Sequence, residues 1–387
     1  MNKLTWLTKL IAFDTTSSKS NLDLIDCLAD YLQALGFEIL LTYHPKEAKA
    51  NLLASLPGEL GIKQGGLILS GHTDVVPVTS QPWSTLPFLA TQIDNSIYGR
   101  GACDMKGFLA VILALAKQVA AMKLKHPLHL AFSFNEEVGC DGVPLLIEEM
   151  KAHGIAPAVC IVGEPTSMRP VLAHKGIQSY RCQLKGVAVH SSLTLLGCNA
   201  IYYAAEVIQF IHDKAKWFEK EGTHDMLFDV PFSTLSVNQI QGGIANNIVP
   251  SDCELTFDFR NLPEDQPELF QQELEKFIAK DLMPRMQKDH ATAKIELEKL
   301  ASVPAFAIEE QSAFYQQVCR ILGTTVVSKV GFATEAGLFQ QANIETVVCG
   351  PGSIEQAHRP DEFIRIEQLD ACEKFLTTLI QQYCVVI

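Results

Sequence analysis

Seven polar residues follow apolar runs in this 387-residue chain, and their types suit metal chemistry. His72 and Asp74 lie in "SGHTDVVP" (70–77), directly after Leu67-Ile68-Leu69. Asp104 stands in "GRGACDMKG", Glu136 and Glu137 in "FNEEVGCDG", Glu164 in "VGEPT", and His358 in "GPGSIEQAHRPDEF". Imidazole and carboxylate are suitable zinc ligands. Two histidines with three carboxylates could hold two ions roughly 3.5–4 Å apart, one carboxylate between them. Another carboxylate must stay free of metal to move protons, and the Glu136–Glu137 pair offers one ligand and one base. A histidine ligand is commonly oriented by a carboxylate on its other ring nitrogen, a role for which Asp74 is the candidate. Singly, each cluster has an ordinary reading: a satisfied or surface histidine, a solvated pair of glutamates. Five clusters that each follow an apolar strand call for a common cause. A sheet brings its strand ends together.

The elements that must position them can be read from the pattern. Candidate strands are 51–56, 66–71, 128–135 and 158–163, and candidate helices about 20–35, 105–121 and 142–153. This alternation predicts an α/β fold, a three-layer domain with a mainly parallel central sheet, whose ligand sites collect at the carboxyl ends of strands. After about 175 the pattern changes. Strands at 177–186, 233–243, 253–260 and near 294–300, with helices about 199–217 and 264–280, predict a compact inserted α+β unit. From about 302 the first pattern resumes, with a helix at 310–322, a strand at 345–349 and a helix at 366–383. The expected division is therefore 1–175 with 302–387, and 176–301 as the insertion.

Composition excludes several classes. With 48% hydrophobic and 19% charged residues the chain has material for a large core. A net charge of −13 disfavours nucleic acid and anionic membrane, which both require clustered Lys and Arg. Eleven scattered cysteines with no CxxC pair predict reduced thiols and a cytoplasmic protein. The start, "MNKLTWLTKLIAFDTTS", lacks the look of a signal peptide. Its Leu4, Leu7, Leu10 and Ile11 fit one helical face. "FLAVILALA" (108–116) is too short to span a bilayer and is expected to be a core helix.

Taken together, "SGHTDVVP", "GRGACDMKG", "NEEVG", "GEPT" and "AHRPDEF" resemble, in order and spacing, the metal-site segments of the dinuclear zinc aminoacylase, desuccinylase and exopeptidase family. The resemblance covers nearly the whole chain. It implies two zinc ions per subunit, for which cobalt can substitute. By position, His72 and Glu164 resemble ligands of different ions, Asp104 the bridging carboxylate, and Glu137 and His358 the ligands that complete the other sphere with Asp104. Glu136 matches the general base, and the Asp104–Met105 peptide is expected to be cis. "KGVAVHSS" (185–192) resembles the segment whose histidine, here His190, reaches the active site of the partner subunit in a homodimer. "GGIANNIVPSDCELTFDFR" resembles the lid segment, in which Asn246 or Asn247 would contact substrate and Arg260 would bind a carboxylate. A structural salt bridge is the plainer role for Arg260, and a hydrogen-bonded structural role that for His190.

The C-terminal ligand segment and "FATEAGLFQ" (332–340) most resemble members that remove the acetyl group from N2-acetyl-L-ornithine, giving L-ornithine and acetate in arginine biosynthesis. Glu335 is the candidate for the substrate's side-chain ammonium. Alternative substrates are N-acetylcitrulline and N-succinyl-diaminopimelate. A relative that binds metal or peptide without catalysis is a further alternative, against which Glu136 and the complete ligand set stand. Cys103 and Cys140, beside these residues, are expected to pack, although a thiol near zinc could make the protein oxidation-sensitive.

Overall fold

The four apolar runs at 51–56, 66–71, 128–135 and 158–163 become neighbouring strands of one sheet in the computed structural model, which describes residues 1–385. The chain divides into two compact units. The first comprises Met1–Leu172, Ala307–Ser328 and the residues from Thr334 onward; the second comprises Ala173–Phe306 with Lys329–Ala333.

In the first unit the strands lie in the order Glu38–Tyr43, Ala50–Leu56, Leu128–Ser133, Leu67–His72, Val159–Pro165 and Glu345–Gly350. The last four run parallel to one another, and the first two add an antiparallel edge. Leu67–His72, Leu128–Ser133 and Val159–Pro165 are buried along their whole length. Continuous apolar sequence is what a parallel strand covered on both faces requires. One sheet face, including Leu52, Leu67, Leu69, Leu130, Phe132, Ile161 and Val347, shares a core with helices Lys3–Ile11, Leu22–Ala34, Lys106–Ala120, Ala313–Leu322 and Ile366–Cys384. Helices Gly142–Ala152 and Ala336–Gln341 cover strands from the other side, which completes three layers. The strand Glu38–Tyr43 has no counterpart in the sequence reading. It is an edge strand with only Thr42 buried, so it lacks the apolar run that marks its neighbours.

The segment 108–116 lies within the helix Lys106–Ala120, which is buried over most of its surface, as an all-apolar helix must be. Its first turn presses against the sheet so closely that two strand positions have no room for a side chain. A Cβ on Gly163 would sit 2.2 Å from the Phe108 ring, and one on Gly71 2.6 Å from Met105 Cε. Glycine permits that approach, which brings the start of the helix beside the ends of the strands. None of the helices among the described residues is long and apolar enough to cross a membrane.

The second unit is built on an antiparallel sheet ordered Thr234–Gly242, Asp252–Asn261, Gly176–Lys185 and Lys294–Val303. Gly176–Lys185 and Asp252–Asn261 alternate buried with half-buried residues, the period-two signature of a sheet with one covered face. Tyr180, Leu255, Phe257 and Phe259 on that face meet Val207 and Ile211 of helix Ala200–Glu221 and Phe270 and Leu274 of helix Pro267–Phe277. The helix expected to end near 280 continues to Asp289 through a π-helical turn at Ile278–Leu282. Pro284 supplies the reason: it lacks an N–H and its ring displaces the carbonyl one turn back, so the ladder slips by a residue instead of ending.

Candidate metal centre

The first unit delivers its polar residues from five separate chain segments. His72 closes the strand Leu67–His72 and pairs in register with Ser133 on the parallel neighbour. Two residues beyond Ser133, Asn135 adopts a left-handed backbone (φ 59°) and turns the chain into the short helical turn Glu136–Val138. Glu164 lies near the end of Val159–Pro165. Asp104 lies two residues before the start of the buried helix, and the Asp104–Met105 peptide is cis. His358 sits in the loop after Glu345–Gly350, also with a left-handed backbone (φ 62°).

These side chains converge. His72 Nε2 lies 3.1 Å from Asp104 Oδ1 and 3.9 Å from Glu164 Oε1. His358 Nε2 lies 2.9 Å from Glu137 Oε2 and 3.3 Å from the other oxygen of Asp104. Asp104 thus presents one oxygen to each histidine. Two overlapping sets bring their ligand atoms within 4.8 Å of one another: His72, Glu136 and Glu164, and His72, Asp104 and Glu137. Glu164 therefore keeps company with His72. That pairing differs from the expectation that these two serve different ions. The same grouping puts Glu136 among the ligand atoms, not apart from them.

Four carboxylates against two imidazoles is an unbalanced set of charges for a buried place. Burial first, then the neighbouring carboxylates Glu136 and Asp104, push Glu164 well above its usual range. Burial also pushes Glu136 up, with Glu137 and Asp104 adding to it against the opposing pull of His72. Glu137 is raised to about 7, by burial and then by Asp104. Burial works to raise Asp104 as well, but its bonds to His358 and His72 outweigh that and hold it low. Bonds to Asp104 and Glu137 raise His358 to about 10. Glu137 Oε1 and Glu164 Oε1 are sealed from solvent and have no hydrogen-bond partner among the described residues. Buried oxygens without donors, facing imidazole nitrogens in an acidic cluster, fit divalent cations by donor type and by charge.

Asp74 requires a correction. His72 Nδ1 engages the backbone carbonyl of Asp74 at 2.9 Å, while the nearer carboxylate oxygen is 3.7 Å away. The carboxylate is occupied elsewhere. Oδ1 accepts the Glu136 N–H (3.1 Å), and Oδ2 accepts the Glu137 N–H (3.3 Å) and the Ser17 hydroxyl (2.7 Å). Those amides open a helical turn and have no partner inside it, so an acceptor beside them is required. Asp74 orients the imidazole through its main chain and the glutamate pair through its side chain.

Glu335 is corrected too. It is fully buried, and its oxygens take the hydroxyls of Ser70 (3.1 Å) and Ser133. Sealed from solvent and bonded at both oxygens, it presents no exposed acceptor to a substrate ammonium. Instead it ties together two adjacent strands just before His72 and Glu136. Cys103 and Cys140 are buried, and burial first, then nearby carboxylates, keeps both thiols protonated. Both pack as neutral groups, as expected. All eleven cysteines are free.

His190, Asn246, Asn247 and Arg260 belong to the second unit. His190 is exposed, its Nδ1 2.8 Å from the Ser192 hydroxyl. Asn246 and Asn247 are exposed between the strands Thr234–Gly242 and Asp252–Asn261, and the Asn247 carbonyl accepts the Ser191 N–H. Arg260 is two-fifths exposed and its Nε donates to Asp258 Oδ2 at 3.1 Å.

The convergence of these strand-end ligands is that of a family of metal hydrolases, and residues 68–382 match Peptidase family M20/M25/M40. The chain belongs to that family. It is 35% identical over 383 residues to the acetylornithine deacetylase of Pasteurella multocida (strain Pm70), covering 97% of this chain and 96% of that one. Identity to the acetylornithine deacetylase of Photorhabdus laumondii is also 35%, over 376 residues, with 97% and 94% covered. Among solved structures, the M20 family metallo-carboxypeptidase Sso-CP2 from Sulfolobus solfataricus superposes with a TM-score of 0.77 at 19% identity, covering 98% of this chain and 99% of that one. The Bacillus subtilis YXEP protein, a dinuclear metal binding peptidase, gives 0.66 at 16% identity, with 98% and 96% covered.

Proposed function

We propose that the chain is a metal-dependent amide hydrolase that converts N2-acetyl-L-ornithine and water to L-ornithine and acetate. The observation that carries the reading is Glu136 set among His72, Asp104, Glu137, Glu164 and His358, in a chain that matches two acetylornithine deacetylases along nearly its full length.

In this reading Asp104, His72 and Glu164 form one ligand set, and Asp104, His358 and Glu137 the other. Two zinc ions fit the donors, and cobalt the same set. Bound there, the ions supply Lewis-acid polarisation and make water acidic near neutral pH. Glu136 takes the proton of the attacking water. The water oxygen bonds to the acetyl carbon, the C–N bond breaks, and Glu136 hands its proton to the departing amine nitrogen. Asp74 fixes the backbone of Glu136, so the base is aimed before substrate arrives.

The remaining roles belong to the inserted unit, the lid and dimerisation domain of this reading. His190 meets the developing oxyanion from the partner subunit of a homodimer. Arg260 binds the substrate α-carboxylate with the guanidinium nitrogens that Asp258 leaves free, and Asn246 and Asn247 contact the substrate. The exposure of all four supports a role toward a ligand.

A panel of N2-acetylornithine, N-acetylcitrulline and N-succinyl-diaminopimelate, compared by kcat/KM on zinc- and cobalt-loaded protein, tests the proposal. A clear preference for acetylornithine is expected. Preference for another member changes the substrate and keeps the chemistry. No turnover of any by protein carrying two ions refutes the hydrolase reading.

A further inference from the structure

The segment that carries Asp104 has no regular structure of its own to hold it. Residues 99–104 lie between the strand Ser96–Tyr98 and the helix Lys106–Ala120. The side chain that holds them comes from far along the chain. Glu362 is 1% exposed, and its Oε1 accepts the N–H groups of Cys103 (2.8 Å) and Asp104 (3.0 Å). Its Oε2 accepts the N–H of Gly101 (3.0 Å) and Nη1 of Arg100 (2.7 Å), and its own carbonyl accepts the N–H of Gly99 (2.9 Å). One carboxylate thus collects four donors from a six-residue loop.

The same assembly reaches His358. Arg100 is buried, and its guanidinium lies 5.0 Å from the Trp83 ring centre. Its Nη1 also approaches the Arg359 carbonyl (3.3 Å), and Nη2 donates to Gln81 Oε1. Gln81 Nε2 in turn donates to the carbonyl of His358 (3.0 Å). A left-handed histidine backbone in a loop is not held by its own preference, so an external tie is needed.

We infer that Glu362, with Arg100 and Gln81, is a positioning clamp that sets the separation of Asp104 and His358 and thereby the affinity for metal. The inference rests on the reading of those two residues as ligands. A buried ion pair alone is weak evidence for such a role, since it often contributes little net stability. The argument here is the distribution of acceptors. Four donors converge on two charged oxygens, and a neutral amide of the same shape offers one oxygen and turns its NH₂ group toward N–H groups. Groups that orient metal ligands typically account for about 10–100-fold in metal affinity.

The test is calorimetric titration of chelator-stripped full-length protein with Zn²⁺, together with the visible spectrum of the Co²⁺ form. E362Q is expected to bind both ions about 10–100-fold more weakly, with an altered cobalt spectrum. Q81A leaves the four donors on Glu362 in place, removes the tie to His358 together with the bonds of Gln81 to Arg100 and Trp83, and is expected to weaken one of the two binding steps more than the other. I380V, a core substitution in the helix Ile366–Cys384, is expected to lower Tm while binding both ions as the parent does. Folded E362Q and Q81A that bind both ions within twofold of the parent overturn the inference and leave the metal reading intact. If E362Q does not fold, unchanged binding by Q81A overturns it alone. A parent protein that binds no ion overturns both readings together.

Discussion

Asp74→Asn is the sharpest perturbation of this site. The parent carboxylate holds the amides of Glu136 at 3.1 Å and Glu137 at 3.3 Å, and the Ser17 hydroxyl at 2.7 Å, on two oxygens. Asparagine keeps one oxygen. Ser17 can turn its hydroxyl to accept from the new NH₂ group, but a main-chain N–H cannot. Whichever way the amide lies, one charge-assisted bond to the glutamate turn is lost and a donor faces a donor. Such a bond is worth about 1.5–3 kcal/mol. If that loss falls on the placement of Glu136 in the transition state, kcat drops about 10- to 150-fold. The assay is steady-state hydrolysis of N2-acetylornithine with metal content measured on the same preparation. The expected result is lowered kcat, near-parental KM and two bound ions. A kcat within twofold of the parent refutes the reasoning. Loss of one ion at matched kcat per metallated subunit points to the imidazole of His72 as the true charge of Asp74.

Glu136→Gln should lower kcat by about 10²–10⁴-fold, the usual contribution of a general base, with both ions still bound by elemental analysis. Glu335→Gln should lower Tm and leave the ranking of acyl amino acids by KM unchanged, because the residue is sealed behind Ser70 and Ser133; a selective rise in KM for acetylornithine would return it to the substrate. Stripped of metal, the protein should lose stability as pH rises. Glu137 is raised to about 7, so the folded form holds its proton above the usual carboxylate range and stability falls as that proton leaves. His358, raised to about 10, works in the same direction, since its stabilising charge is lost as pH climbs toward that value. Melting curves with chelator should therefore drop from about pH 5 upward, whereas added Zn²⁺ should raise Tm most at the higher pH, where its ligands are already deprotonated. A chelated protein whose Tm rises steadily from pH 5 to pH 8 contradicts this.

The sheet was legible because its central strands are apolar on both faces, and the clustering of His72, Glu136, Glu137 and Glu164 followed from parallel strands ending together, whereas Asp104 comes from the loop before the buried helix. The edge strand Glu38–Tyr43 carried no such run. The continuation of the helix past 280 was hidden by Pro284, which reads as a stop yet produces only a slipped turn. The site's supporting residues were harder. Sequence marks a carboxylate but not which of its neighbours donates to it, so Asp74 was matched to the ring of His72 and Glu335 to the substrate. Glu362 left a faint signal in "HRPDEF", four residues after His358. Its partners in "GRGACD" were already conspicuous for Asp104. Only the fold brings the two segments together.

The strand Glu345–Gly350 lies between Val159–Pro165 on one side and Val171 on the other. The sheet therefore keeps a gap at its middle until a segment near the end of the chain arrives to fill it, and His358 follows that segment. During synthesis the earlier ligands emerge long before their last partner exists. In the proposed reading, the ligand set that includes His358 can be completed only in a finished chain. A ribosome-stalled chain ending at residue 340 should fail to retain Zn²⁺ through gel filtration, whereas tight retention would mean that the earlier ligands suffice. The order of the chain thus makes the pairing of His358 with Glu137 and Asp104 the last part of the site to be completed.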